Sequence, residues 1–413
     1  MSQSITERYF PALKQRNFRI FWTGQCISLV GTWMQNVGQD WLVLEITNSP
    51  LKLGLVNSIQ YLPMLLFSLA AGPLIDRIPK RRLIIATQSA LLLLALALAL
   101  LTLGGHAQYW QVLVLAFLLG AVNTIDAPAR QSYVIEIAGR DALMNAISLN
   151  SAAFNLARIA GPALAGLLIG AIGIAPCFFI NAASFAAVIA ALFSIDAPIP
   201  PTRGRAGSLA DIGVSVREGL SYIAGRKGLA GALALLGVIS AVVLNYNTVV
   251  PTFAKGVLGG GARDYGFLMT AMGVGSFTAA LSLAVNSKKG PSARRRMIGA
   301  AGMSITFALC GLQKNPYLSC ALLALCGFFT VSFTASTNAY LQLSSDDEHR
   351  GRVMSIHSLI FNGVTPFGAL YAGALIDKSG AGACMLTSGA IGLVSVAVAL
   401  AVQRRGARAA KGG

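Results

Sequence analysis

Apolar residues in this chain come in long runs parted by short polar joints. Runs of about 20 largely apolar residues, enough for a helix to cross a bilayer, fall at roughly 20–44, 53–75, 83–104, 109–127, 145–170 and 175–195. A second set falls at roughly 229–253, 265–285, 297–312, 317–341, 354–376 and 381–402. The pattern predicts an all-α polytopic membrane protein with twelve transmembrane helices in two sets of six. It divides the chain into a first six-helix half at 1–197, a linker at 198–227, a second half at 228–403 and a basic tail at 404–413. Within the linker, the stretch from about Ser208 to Arg226 predicts a short amphipathic surface helix.

Composition agrees with the periodicity. Of the 413 residues, 55% are hydrophobic and only 11% are charged, against about 25% charged residues in soluble domains. So few charges cannot cover a water-facing surface. The segment "MSQSITERYFPALKQRNFRI" is polar and basic, so no cleavable leader is expected. The net charge of +17 raises the possibility of nucleic acid, but its placement points to topology and no nucleic-acid partner is expected. Of the 32 Lys and Arg residues, Lys52, Lys255, Arg263, Lys314 and Lys378 fall in one set of alternate loops, and Arg158 lies inside a span. All the others fall in the opposite loops and at the two ends, which predicts that both termini are cytoplasmic. The bases would then face the anionic inner leaflet, in the inner membrane of a bacterium.

The same count suggests an internal repeat. In each half the loop between the second and third spans is short and strongly basic: "DRIPKRR" in the first, "NSKKGPSARRR" in the second. Two matching six-helix halves point to carriers that rock around a central site. The first loop also holds an acid, Asp76, which the positive-inside rule does not explain. Asp76 needs a partner: Arg77 beside it, or a helix N-terminus in the second half. "RGRVMS" at 350–355 offers such a terminus together with bases.

Gly72, Leu74, Asp76, Arg77, Lys80 and Arg81 in "GPLIDRIPKRRL" resemble the loop signature of the major facilitator superfamily, with Pro79 standing where that pattern has glycine. "FRIFWTGQCISLVGTWMQ", "ITNSPLKLGLV", "APARQSYV", "RIAGPALAGLLIG" and "EHRGRVMSIHSLIFNGVTPFGALYAGALID" look like the branch that contains enterobactin exporters and macrolide-efflux-type proteins. The resemblance covers nearly the whole chain. It implies the major facilitator fold, a small-molecule substrate, proton coupling, and a conformational latch formed by Gly72, Asp76, Arg77, Lys80 and Arg81. Gly161 and Pro162 resemble the fifth-helix element of drug–proton antiporters, a gate, although Ala157 replaces its leading glycine. No base occurs near Ala116, where many proton-coupled members carry a fourth-helix arginine.

Polar residues inside the spans supply the candidate chemistry. At about 100° per residue, Gln25, Ser28, Thr32, Gln35, Asn36, Gln39 and Asp40 fall within about 140° of arc on span one, opposite Ile27, Val30, Met34 and Val37. Such a stripe either lines a cavity or hydrogen-bonds to neighbouring helices; Asp40 is its best candidate for a titratable or cation-binding group. Arg158 lies roughly 20 Å into span five at about 1.5 Å per residue and shares its face with Ser151 and Asn155. It either meets an anionic substrate or pairs with an acid such as Asp126 or Asp40. Asp126 and Arg130, four residues apart, read as a local ion pair or as part of a gate. In the second half, Asn245 and Asn247 of "NYNT", with Thr337 and Asn338 of "TASTN", are polar islands that line a cavity or pack helices. The glycine- and alanine-rich faces of spans five and eight allow close helix approach.

Several function classes are excluded. Three histidines, no H-E-x-x-H, no paired intramembrane aspartates and no phosphate loop argue against an enzyme. The six cysteines all lie in apolar segments without metal-ligand spacing and are expected to be buried free thiols. Neither cofactor nor metal is expected, and the chain is expected to be monomeric. The leading expectation is a secondary exporter of siderophore-like metabolites or drugs. An importer or lipid flippase of the same fold is the alternative, and a membrane-embedded enzyme or scaffold a remote one.

Overall fold

The computed structural model describes residues 10–139, 141–195, 209–285 and 292–409; for 69–74, 76, 209–216 and 404–409 it describes the backbone alone. Most of these residues are helical. After a short 3-10 turn at Pro11–Lys14 come α1 (Arg16–Thr47), α2 (Pro50–Arg77), α3 (Lys80–Leu103), α4 (Tyr109–Ala138), α5 (Leu143–Ile172) and α6 (Ala175–Phe193). The linker contributes α7 (Leu209–Ala224). There follow α8 (Lys227–Val242), α9 (Tyr246–Gly256), α10 (Ala262–Val285), α11 (Ala293–Gly311), α12 (Pro316–Leu343), α13 (Asp347–Gly363), α14 (Thr365–Ser379) and α15 (Ala381–Ala409). Nine segments among the described residues are long and apolar enough to cross a membrane; Lys227–Gly256 and Asp347–Ser379 each join two helices.

Local chemistry sets the helix ends. Asn315 caps α12, its side chain accepting from the amides of Tyr317 and Leu318 at 2.9 and 3.3 Å, with Pro316 in the first turn. At the head of α4 the Gln111 side chain accepts from the amide of Gln108 at 2.8 Å, closing a capping box. Gly173 and Gly380 end α5 and α14 with φ of 90° and 84°, backbone that favours glycine.

The expected spans seven and eleven are each two helices. Pro366 removes an amide at the start of α14, beside the second break; Pro251 lies inside α9, beyond the first. At the first break the amides of Val243 and Leu244 both turn back to the carbonyl of Ile239, and Asn245 donates its side-chain N–H to the carbonyl of Ala241 at 2.8 Å. Gly368 of α14 packs on this joint. A Cβ there would lie 2.5 Å from Asn245 Oδ1 and 2.6 Å from the Ala241 carbonyl.

The chain forms two compact units. The first takes residues 1–46 and 62–207; the second takes 47–61 and 208–413, so α2 is shared between them. In the first unit α3 packs against α4 and α6. Phe18, Phe21, Leu83, Ile84, Tyr133, Val188 and Leu192 form a buried cluster there, with Phe21 edge-on to Tyr133 at 5.4 Å. In the second unit α12 packs against α10 and α11, and α11 against α15. Close approach at Gly275 and Gly327 joins α10 to α12, where Ser276 donates to the carbonyl of Gly327 at 3.3 Å. The first turns of α2 also belong to this unit: Gly54 lies on the backbone of Ala369, and Asn57 donates to Thr248 Oγ1 at 3.2 Å.

Two of the cysteines expected to be buried, Cys26 and Cys320, are only half-buried; the other four are buried. Cys26 lies beside the exposed Ile27 on α1.

Candidate functional site

The basic joint between α2 and α3 anchors the helices around it. Pro79 precedes α3 with φ −55°, the value its ring imposes. Lys80 Nζ lies 2.7 Å from Glu136 at the end of α4. Arg81 donates to the carbonyls of Leu192 and Phe193 at 2.9 and 3.3 Å, a cation at the negative end of α6. Arg77 is exposed. The side chain of Asp76 and the surroundings of Gly72 lie outside the described residues, as do Lys288 and Lys289 of the second basic loop.

A buried polar cluster lies nearby in the first unit. Asp126 is wholly buried and accepts from Thr87 Oγ1 at 2.6 Å and from Gln88 Nε2 at 3.0 and 3.1 Å. Arg130 Nε stands 2.7 Å from its other oxygen, one turn along α4. Charge and lone pairs are both met, which is what a buried carboxylate requires. Sequence reasoning found the Asp126–Arg130 pair and missed Thr87 and Gln88. Their signal was adjacent polar residues inside the apolar run "IIATQSALLLL".

The polar stripe of α1 faces α6 for part of its length. Gln35 accepts from Asn181 Nδ2 at 2.6 Å, and Gly31 packs on Asn181 and Ser184. Ser28, Gln35, Gln39 and Asp40 are buried, whereas Gln25, Thr32 and Asn36 are half-buried; Thr32 donates to the carbonyl of Ser28 at 2.8 Å. On the opposite face Ile27 is exposed, but Met34 and Val37 are buried, because α1 is packed on more than one side. Asn181, the polar partner on α6, was not anticipated.

Arg158 is half-buried with its guanidinium over the Trp33 ring, 6.0 Å from the centroid. Trp33 also meets Phe154 edge-on at 5.9 Å, and its Cβ sits against Gly161, where α1 and α5 approach closely. Asn155 donates to the carbonyl of Ser151 one turn earlier, at 2.8 Å. Arg158, Trp33, Gly161 and Pro162 thus form one patch on α1 and α5.

The second-unit candidates are dispersed. Asn245 holds the α8–α9 joint, and its Oδ1 has no hydrogen-bond partner among the described residues. Asn247 is half-buried, and the neighbouring Tyr246 hydroxyl bonds Thr330 at 2.8 Å. Thr337 is fully buried, and Asn338 accepts from Gln342 at 2.6 Å. His357 is buried and stacks on Phe361, centroids 6.1 Å apart. No group of three or more metal-ligating side chains occurs among the described residues.

The amphipathic linker helix α7 docks on α13. Arg226, just beyond it, grips Asp346 through both carboxylate oxygens, at 2.7 and 3.4 Å, and lies over the Tyr222 ring at 4.3 Å. The Tyr222 ring stacks on His349 at 4.2 Å, its hydroxyl accepts from the Asp346 amide at 3.0 Å, and Glu218 pairs with Arg352 at 2.9 Å. The Tyr222 hydroxyl, and after it Arg226, hold the Asp346 carboxyl below its usual value.

A family model described as "Transmembrane secretion effector" matches residues 8–411. The chain belongs to this family of the major facilitator superfamily. Similar proteins span most of its length. The chain is 25% identical to the staphyloferrin A transporter of Staphylococcus aureus over 88% of this chain and 90% of that one. It is 26% identical to the multidrug efflux pump Tap of Mycolicibacterium fortuitum (86% and 88%) and 21% identical to macrolide efflux protein A of Streptococcus pyogenes (92% and 94%). Among solved structures, nucleoside transporter NupG superposes with a TM-score of 0.75 at 12% identity over 94% of this chain and 98% of that one. A D-xylose-proton symporter gives 0.72 at 14% identity, over 92% and 97%. These superpositions show that the chain shares the fold of those two transporters. The family consists of transporters, not enzymes.

Proposed function

We propose that this chain is a secondary exporter of small amphipathic molecules, of siderophore-like or drug character, that works by alternating access coupled to protons. The observation that carries the reading is similarity along nearly the whole chain to a siderophore transporter and to two proteins named for efflux. The polar interior agrees with it: α1 buries Gln35, Gln39 and Asp40, residues that need a water-filled or protein-lined setting within a membrane. In this reading the chain crosses a bacterial inner membrane twelve times, as a monomer with both termini in the cytoplasm. Its two six-helix halves are joined by the docked linker. Gly72, Asp76, Arg77, Lys80 and Arg81 form the latch, and Gly161, Pro162, Asp126 and Arg130 belong to the gate. The α1 stripe with Asn155 and Arg158, and Asn245, Asn247, Thr337 and Asn338 in the second unit, meet the substrate. Asp40 carries the proton.

The test uses proteoliposomes with a lumenal pH dye, supplied with a carboxylate siderophore, a macrolide or a cationic dye. Movement of one of these with a matching change of lumenal pH, lost in Asp40→Asn, is the expected result. Transport with an unchanged pH signal ends the coupling claim, and failure of all three compounds to move ends the exporter reading. Asp76→Asn should shift cysteine accessibility between the two faces; unaltered labelling removes the latch.

A further inference from the structure

The first turn of α11 carries three consecutive arginines, and two of them are not where a topological signal needs them. Arg294 is exposed, Arg295 is half-buried, and Arg296 is 2% exposed. A positive-inside signal works from any water-facing position, so sinking two guanidiniums into the protein calls for another cause. Arg296 lies over the Tyr340 ring at 4.2 Å, and its Nε and Nη1 have no hydrogen-bond partner among the described residues. No described acid pairs with any of the three. They also crowd the positive end of a helix dipole, where an anion is favoured and cations are not.

Arg295 opens into a groove of about 140 Å³ between α10, α11 and α12. Besides Arg295 the lining is mainly apolar: Leu283, Ile298, Phe328 and Phe329 contribute to it, together with Ser282 and the buried Ser332. Arg295, Ile298, Gly299 and Gly302 share one face of α11 by their spacing. The Phe329 ring lies flat against Gly302, where a Cβ would stand 2.7 Å from the ring carbons. Ile298 is 51% exposed, so the groove is open at this residue. The cavity therefore combines a cationic side chain with a mainly apolar lining.

We infer that this groove binds an anionic phospholipid, its phosphodiester held by Arg294 and Arg295 and one acyl chain laid along Ile298, Phe328 and Phe329. Guanidinium matches phosphate in planar, two-pronged geometry, and basic pockets between membrane helices on the cytoplasmic side are suited to such headgroups. Arg296 reinforces the local potential from behind. The choice of the cytoplasmic leaflet rests on the orientation proposed above; the binding chemistry does not.

The test measures the thermal unfolding midpoint of the full-length protein in detergent with added phosphatidylglycerol, phosphatidylcholine or inorganic phosphate. Native mass spectrometry then counts retained lipids. Phosphatidylglycerol is expected to bind about tenfold or more tighter than phosphatidylcholine. Arg294→Gln/Arg295→Gln should lose that preference while keeping its midpoint in phosphatidylcholine. Ile298→Trp, which fills the groove at an exposed position, should lose it as well. Equal response to both lipids, or a preference retained in the double variant, overturns the inference. An equal response to inorganic phosphate overturns the lipid and leaves a free-anion site. Labelling a cysteine placed at the exposed Ser292 from either side of the membrane reads the orientation separately, because lipid binding in detergent does not depend on it.

Discussion

Removing the carboxylate of Asp126 should destabilise the first unit by several kcal/mol, and the size follows from its surroundings. The side chain is fully buried and takes hydrogen bonds from Thr87 at 2.6 Å and Gln88 at 3.0 Å, besides the ion pair with Arg130 at 2.7 Å. Asp126→Ala leaves the Arg130 guanidinium, whose side chain is only 17% exposed, without its counter-charge. Breaking a buried pair in this way costs about 3–5 kcal/mol. Stranding the Gln88 amide alone costs about 1–3 kcal/mol, but these losses overlap and do not add. Asp126→Asn keeps an acceptor and loses the charge, so its cost falls at the lower end. The double variant Asp126→Leu/Arg130→Met removes both charges and should recover about 0.5–3 kcal/mol relative to the sum of the single variants. Unfolding in detergent micelles by titrated dodecyl sulfate, followed by tryptophan fluorescence, gives the free energies. If either single variant stays within about 0.5 kcal/mol of the parent, the cluster is not the structural brace described here. A double variant that folds normally but has lost transport would assign the pair to the gate.

Other outcomes are equally specific. Gly373→Val places a Cβ 2.8 Å from the Pro50 carbonyl and 3.2 Å from Gly54 Cα, and this overpacking should cost about 1–3 kcal/mol in the same titration; an unchanged midpoint would contradict the contact. The Asp346 carboxyl is held below its usual value of 3.8, so its contribution to linker docking is present above that value and lost as pH falls through the lowered one. Hydrogen exchange at residues 217–224, corrected for intrinsic rates, should accelerate below about pH 3.8 and in Asp346→Asn at neutral pH; equal protection in all conditions would refute it. A maleimide dye should modify the half-buried Cys26 and Cys320 before Cys177, Cys310, Cys326 and Cys384, and simultaneous labelling would contradict the burial pattern.

The helices were legible because apolar runs of bilayer length leave little choice of structure. Asp126 with Arg130 was legible because four-residue spacing fixes the geometry on one helix. What escaped was partnership between helices: Thr87 and Gln88 reaching Asp126, Asn181 reaching Gln35, and Tyr222 stacking on His349. Each joins residues far apart in the chain, and periodicity along one helix carries no signal for them. The break in span eleven was partly encoded in Pro366, whereas Pro251 lies inside α9 and does not mark the break in span seven. Hydropathy averages pass over a joint of one to three residues that is largely apolar, as at Val243, Leu244 and Val364.

The division of α2 bears on how such a protein can be cut and recombined. A chain severed within 198–208 yields a carboxyl-terminal fragment that lacks residues 47–61, although these pack within its own unit through Gly54 on Ala369 and Asn57 on Thr248. That fragment alone would present a bare groove along α14. Co-expressed fragments must therefore complement each other through this segment. A hybrid that takes its halves from two relatives inherits a mismatch at Gly54 and Gly373 unless the first turns of α2 travel with the half they cover.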